Sequence, residues 1–290
     1  MISGGFTDIR PSPIAGTWYS ANPVKLQSSI MQYLSEARLP DIQGEIVALI
    51  VPHAGHVYSG LTAAHAFKAI EGMSFERVVV ISPLHQYYPQ PILTSGHQAY
   101  ETPLGLIPVD LAGVEAVNAG LMASMDVQLT PLRHDQEHSL EIELPFLQCV
   151  LSEPFSLIPI MLRDQSARLA KSLGHILAGL LRQGKTLLVA STDLSHFYTR
   201  STANRLDKTI LAAMEAFDPQ QLYRLAASGE GQACGLAAVA AVLWAAQDHG
   251  TDAEGMHSKV TVVDYRTSAD VTHDSSSVVG YGAAVITRTN

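Results

Sequence analysis

The sequence predicts an α/β fold, a central and largely parallel or mixed sheet flanked by helices. Three observations predict it. Short apolar, β-branched runs occur at Glu45–Val51, Arg77–Ile81, Phe155–Leu162 and Thr186–Ser191. Stretches with helical spacing separate them, and alternation of this kind marks parallel crossover units. The runs are continuously apolar, as strands covered on both faces must be.

The elements follow in chain order. Asn22-Pro23 opens a helix, because Asn caps and Pro suits the first helical position. Leu26, Ile30 and Leu34 then fall on one face. Glu45–Val51 is a buried strand. Ser59 is placed to cap the next helix, whose Ala63, Ala64 and Ala66 permit close packing on a sheet. Arg77–Ser82 is the second strand and Leu106–Val109 a further short one. Glu137–Val150 reads as a helix with Leu140, Leu144 and Leu147 on one stripe. Phe155–Leu162 is a strand, Ala167–Leu181 a helix, and Thr186–Ser191 a strand. Two or three helices fill Ser201–Ala227. Leu236–Ala246 is apolar almost all round and reads as a buried helix. Lys259–Tyr265 and Val278–Thr287 read as strands able to pair as an antiparallel hairpin, with the polar Ser275-Ser276-Ser277 between them.

The 290 residues are read as one domain, 1–290. Lys and Arg total 18 against 27 Asp and Glu, a formal charge of −9, with no basic run. That argues against nucleic acid and against a membrane surface as partners. Cys149 and Cys234 form no disulfide framework. Met1–Pro11 lacks the basic-then-apolar pattern of a signal peptide, and no apolar run reaches the length of a membrane span. A cytoplasmic protein with reduced thiols is expected.

Chemistry concentrates at strand ends. His53 follows the first strand and His85 the second, and ligands of open α/β sheets bind at the carboxyl ends of strands. Cys234 sits just before the apolar helix, where a helix N-terminus and a bound metal lower a thiol's pKa. Two imidazoles and one thiolate suit a metal: iron with open positions, copper, or catalytic zinc. After the strand Thr186–Ser191 comes Asp193-Leu194-Ser195-His196. Asp193 is expected to fix the tautomer of His196, leaving His196 as a general acid or base. His138, in His134-Asp135-Gln136-Glu137-His138-Ser139, is a third acid-base candidate near a helix start. His65 is expected to be packing, and His97, His175, His249, His257 and His273 to be solvated without partners. Cys149 is expected in the core.

The chain resembles the Memo-like family, also called AmmeMemoRadiSam system protein B. The resemblance rests on Arg10-Pro11, Ala15-Gly16-Thr17-Trp18-Tyr19, Pro52-His53-Ala54-Gly55 with Tyr58-Ser59-Gly60, and Pro83-Leu84-His85. It continues through Thr102-Pro103-Leu104-Gly105, Glu137-His138-Ser139-Leu140-Glu141 with Leu144-Pro145-Phe146-Leu147, Asp193-Leu194-Ser195-His196 and Cys234-Gly235. The order is collinear over nearly the whole chain.

The resemblance implies a single α/β domain related to class III extradiol dioxygenases, the LigB-type enzymes. It also implies metal ligands at His53, His85 and Cys234, with His196 matching the acid-base histidine, Asp193 beside it and His138 on the rim. The family usually has Tyr at the position of His56, Gly-Pro-Ser-His where this chain has Ser82-Pro83-Leu84-His85, and Arg at the position of Leu236. His56 is either an extra ligand or a substitute for the Tyr ring.

The resulting expectation is a metal-dependent oxidoreductase of non-haem dioxygenase type, with iron favoured over copper and with weak or absent catechol cleavage. The alternatives are a non-catalytic module binding a peptide or small anion, in a pathway with radical SAM and AMMECR-type proteins, and a zinc-dependent hydrolase.

Overall fold

The computed structural model describes residues 5–250 and 257–289. The first four residues of Met1–Pro11, where no signal peptide is expected, lie outside them. In chain order the elements are β1 (Ile9–Arg10), α1 (Pro23–Glu36), β2 (Glu45–Val51), α2 (His56–Lys68), β3 (Arg77–Pro83), β4 (Ile92–Ser95), β5 (Ala99–Thr102) and β6 (Gly105–Pro108). There follow α3 (Leu111–Met125), β7 (Thr130–Leu132), α4 (Leu144–Val150), β8 (Ser156–Leu162), α5 (Ala167–Arg182), β9 (Thr186–Ser191) and β10 (His196–Tyr198). The chain ends with α6 (Arg200–Glu215), α7 (Pro219–Ser228), α8 (Leu236–Gly250), β11 (His257–Thr267), α9 (Ala269–Thr272) and β12 (Val278–Thr289).

One nine-stranded sheet runs in the order β10-β12-β2-β9-β3-β8-β4-β7, with β11 also paired to β12. Strands β2, β9, β3 and β8 are mutually parallel. β12 runs antiparallel to β2 and β11, and β4 antiparallel to β8. The sheet is therefore mixed around a parallel centre, and the expected late hairpin is its β11–β12 edge. A smaller sheet, β1-β5-β6, carries the N-terminal segment.

Alternate residues of each central strand feed two different cores. Val78 and Val80 of β3 pack with Leu26 and Ile30 of α1 and Phe67 of α2. Val79 and Ile81 pack with Leu173 of α5 and the alanine-rich α8. Both faces are thus covered, which explains why the strands read as unbroken apolar runs. Among the described residues no helix is long and apolar enough to cross a membrane.

Several local expectations need correction. The helix expected over Glu137–Val150 begins as a turn and a 3-10 segment at Glu141–Glu143, and α4 starts only at Leu144. The Glu137 carboxylate accepts from the His138 and Ser139 N–H groups at 3.0 Å each, building a tight turn in place of a helical one. Pro145 sits at the start of α4, where its missing N–H costs nothing. Ser59 does not cap α2, which begins at His56, and its hydroxyl donates within the fold to the Ala54 carbonyl at 2.9 Å. Asn22 does cap α1, accepting from the Lys25 N–H at 3.1 Å.

The solvated histidines also divide. His257 and His273 are exposed. His97 is buried, with Nδ1 2.7 Å from Asp8, and His249 is buried with Nε2 2.6 Å from the Arg288 guanidinium. His175 pairs with Asp248 at the surface.

Candidate metal centre

Three adjacent parallel strands end at the site. β2 leads into Pro52-His53, β9 into Thr192-Asp193 and β3 into Leu84-His85. α8 packs against β9, and the segment just before it brings Cys234 to the same edge, where its N–H donates to the Asp193 carbonyl at 3.1 Å. The approach is close: a Cβ at Gly235 would lie 2.3 Å from the Ser191 carbonyl oxygen, so only glycine is accommodated there.

The structure brings the three expected donors together. One ring nitrogen of His53, one of His85 and Cys234 Sγ all lie within 4.8 Å of one another. Cys234 Sγ is 3.1 Å from His53 Nε2 and accepts from the Asp193 N–H at 3.2 Å. His85 Nδ1 meets Glu137 Oε1 at 2.9 Å, and His53 Nδ1 meets Ser191 Oγ at 2.8 Å. Each imidazole thus has its Nδ1 engaged by the protein and its Nε2 left over, the arrangement that orients metal-ligating histidines.

Glu137, His85 and His138 also cluster. Glu137 is nevertheless a poor ligand, because its two oxygens already accept from the N–H groups of His85, His138 and Ser139, the Ser139 hydroxyl and the His85 ring. Its role is to hold His85.

Charges follow from burial and partners. Burial opposes the Glu137 anion, yet His85 and the surrounding N–H groups win and draw the carboxyl down to about 2. Burial likewise opposes the His85 cation, and Glu137 outweighs it, raising that imidazole. His53 is pulled well below its ordinary value by burial and by His138 and His85. Burial, with Asp193 behind it, pushes the Cys234 thiol up to about 12 against the pull of neighbouring N–H groups. The expected lowering by the helix N-terminus is therefore outweighed, and a thiolate at Cys234 requires a cation beside it.

The acid-base candidates are placed differently from expectation. His196 Nδ1 lies 2.8 Å from the Leu194 carbonyl, which as a pure acceptor fixes the tautomer in place of Asp193. Asp193 Oδ1 instead accepts from the His53 N–H at 2.8 Å. Burial raises the Asp193 carboxyl to about 7. Burial also lowers His196, and brings His138 down to about 4. His138 stacks on Trp18, ring centroids 4.1 Å apart, and on His85 at 4.6 Å.

His56 belongs to neither donor group. Its ring lies 4.9 Å from Phe146 and 5.4 Å from Tyr19, and Nε2 donates to the Ile142 carbonyl, so it serves as a packed ring. Leu236 starts α8 inside the core. Cys149 is half-buried beside the core on α1 and α2.

His53 and His85 open into a cavity of about 470 Å³, lined also by Thr17, Trp18, Tyr58, Tyr281, His138, His196 and Asp193, with no lysine or arginine; Cys234 itself does not reach its wall. A larger hollow of about 560 Å³ lies between β6 and α4. It is lined by no histidine or cysteine and only one carboxylate, Glu153, so the smaller cavity is where chemistry is placed. Sequence reasoning missed Trp18 and Tyr281 as walls, and Glu137, Ser191 and Glu143 as supports. Of these, Glu137 carried a signal, its position next to His138, and Trp18 stood in the Ala15–Tyr19 stretch that carries the family resemblance.

A family model described as "Memo-like protein" matches residues 10–285. A MEMO1 family protein of Nitrosopumilus maritimus is 35% identical over 279 residues, covering 95% of this chain and 98% of that one. A MEMO1 family protein of Thermotoga maritima is 33% identical over 290 residues, covering 96% and 99%. Among solved structures, an uncharacterized protein from Escherichia coli K12 superposes with a TM-score of 0.54 at 14% identity, covering 82% of this chain and 99% of that chain, a likeness of fold alone.

Proposed function

The chain belongs to the Memo-like family, and from that premise we propose that His53, His85 and Cys234 hold one metal ion in a metal-dependent oxidoreductase of non-haem dioxygenase type, iron ahead of copper. One observation carries the reading: two imidazoles and a thiol converge within 4.8 Å, and both imidazoles line a cavity. The donor set fits, since both rings have Nδ1 engaged and the thiol gains its anion only beside a cation. An iron or copper ion there would supply one-electron redox chemistry with positions left open.

The protein's own residues supply the rest. His196 is neutral, with Nδ1–H given to Leu194 and Nε2 free to accept a proton. Asp193, near 7, can hold or release one at ordinary pH. Trp18 and His138 form a flat stacked wall against which a planar substrate can lie. The absence of lysine and arginine from the lining favours an uncharged substrate over an anion.

The test is metal content by mass spectrometry on protein purified without oxygen, wild type beside Cys234→Ser. Near-stoichiometric iron or copper in the wild type, lost in the variant, is expected. Zinc would move the reading to a hydrolase, for which this donor set is equally suited. No metal in either would leave a binding module, and partners of the radical SAM and AMMECR type would then be the place to look.

A further inference from the structure

Ser191 ends β9 directly beneath His53. Its hydroxyl oxygen has three polar neighbours: His53 Nδ1 at 2.8 Å, the Ser139 carbonyl oxygen at 2.6 Å and Glu143 Oε1 at 2.8 Å. All four residues are 0–1% exposed, so water does not complete the set.

Counting hydrogens decides who donates. A serine hydroxyl has one proton and two lone pairs. The Ser139 carbonyl can only accept, and it makes the shortest contact, so it takes the Ser191 proton. Ser191 must then accept from its other two neighbours. His53 can satisfy this only through Nδ1–H, and Glu143 only as a carboxylic acid. With Glu143 ionised, one proton would face two acceptors, and an oxygen pair at 2.6 or 2.8 Å would be left with no hydrogen between. Burial independently favours the neutral acid: it pushes Glu143 well above the usual carboxylate range, and Asp193 adds to the shift against the pull of Ser191.

We infer that Glu143 is a neutral acid donating to Ser191, and that this buried chain fixes His53 as its Nδ1–H tautomer with the Nε2 lone pair presented to the Cys234 side. Glu143 and Ser191 are positioning residues, acting on the site only through His53. The two histidines are thereby held by opposite means, His85 by an ionised carboxylate in direct contact and His53 through a hydroxyl backed by an uncharged acid. The purpose of the chain rests on the metal reading above. Its hydrogen arrangement does not.

Two measurements on metal-free protein test that arrangement. Nitrogen–proton correlation spectra of the imidazole rings are expected to show His53 protonated at Nδ1. The infrared difference between wild type and Glu143→Gln is expected to show loss of a protonated-carboxyl C=O band at neutral pH. A proton on Nε2, or loss of carboxylate bands only, overturns the inference.

Cobalt(II) titration, read by the thiolate-to-metal absorption band, tests the consequence. Ser191→Ala is expected to bind Co²⁺ about 10–100-fold more weakly and to show mixed His53 tautomers. Glu143→Gln, whose amide N–H can donate in place of the acid, is expected to stay near wild type. A folded Ser191→Ala with wild-type affinity and an unmixed tautomer overturns the positioning role. Should Ser191→Ala fail to fold, the wild-type spectra and Glu143→Gln decide. Wild-type protein that shows the Nδ1–H tautomer and the acid band but binds no Co²⁺ would sink the metal reading while bearing out the chain.

Discussion

Arg10 ties the N-terminal segment to the loop that carries Glu137 and His138, and its removal has a calculable cost. The side chain is 1% exposed. Nη2 donates to Asp135 Oδ1 at 2.7 Å and to the Glu137 carbonyl at 2.9 Å, Nη1 to Glu141 Oε2 at 2.6 Å, and Nε to Asp135 at 3.0 Å. The guanidinium also lies over the Tyr100 ring, 4.8 Å from its centroid. Arg10→Met keeps much of the volume and leaves Asp135 and Glu141 buried without their cation. Breaking a buried pair from one side costs about 3–5 kcal/mol, and two carboxylates are stranded here, so the upper half of that range is expected. Against a total stability of about 5–15 kcal/mol, the variant loses about a quarter or more. Tyr19 and Ser12 still donate to Glu141 Oε1 at 2.7 Å each, which sets a ceiling on the loss. Urea unfolding followed by tryptophan fluorescence measures it, since Trp18 stacks on His138 beside this network. The triple variant Arg10→Met, Asp135→Asn, Glu141→Gln is expected to recover at least about 1–2 kcal/mol, because removing both partners of a pair spares the desolvation penalty. A single Arg10→Met within about 1 kcal/mol of wild type would refute the view that this network anchors the loop.

Three further outcomes are expected. His56 sits near 4 in the folded chain against 6.5 unfolded, because burial disfavours its cation. Between those values the unfolded state binds more protons, so stability falls as pH drops from about 6.5 to 4, by at most roughly 3 kcal/mol. His56→Phe should flatten that slope in urea midpoints taken at pH 7 and 5, and an unchanged slope would remove His56 as the cause. Gly235→Ala meets the Ser191 carbonyl at 2.3 Å and must displace the start of α8. A melting temperature lower by several degrees and weaker metal retention are expected, and wild-type values for both would contradict the close approach. His196→Ala should keep the wild-type metal content and lose turnover once a substrate is found, whereas intact turnover would exclude it as the acid-base group.

The fold was legible where one rule governed. β2, β3, β8 and β9 are apolar at every core position because both faces are covered, and no competing pattern obscured them. The helix over Glu137–Val150 misled for a local reason. Leu140, Leu144 and Leu147 are all buried as the stripe suggested, yet the Glu137 carboxylate captures the N–H groups of its own turn and delays the helix to Leu144. α3 went unread because Gly113 and Gly120 dilute its pattern, although Asp110 caps it by accepting from the Gly113 N–H at 2.9 Å.

The donor set was legible for the same reason as the sheet: residues that follow β2 and β3 must share an edge once those strands are parallel and separated only by β9. What holds the donors was not, because nothing local encodes it. His53 lies 138 positions before Ser191, and Glu143 lies 48 before it. A serine at a strand end and a glutamate before an apolar helix each have a simpler local explanation. Even the neighbouring pair Asp193 and His196 was assigned to each other by proximity, whereas Asp193 turns to the His53 backbone and His196 to its own chain at Leu194. Strand order thus determines which side chains can meet. Hydrogen-bond valence, one proton and two lone pairs at Ser191, determines the state in which His53 is presented. The second constraint acts only after folding has brought the three partners within 2.6–2.8 Å of that oxygen, which is why it is readable from the structure alone.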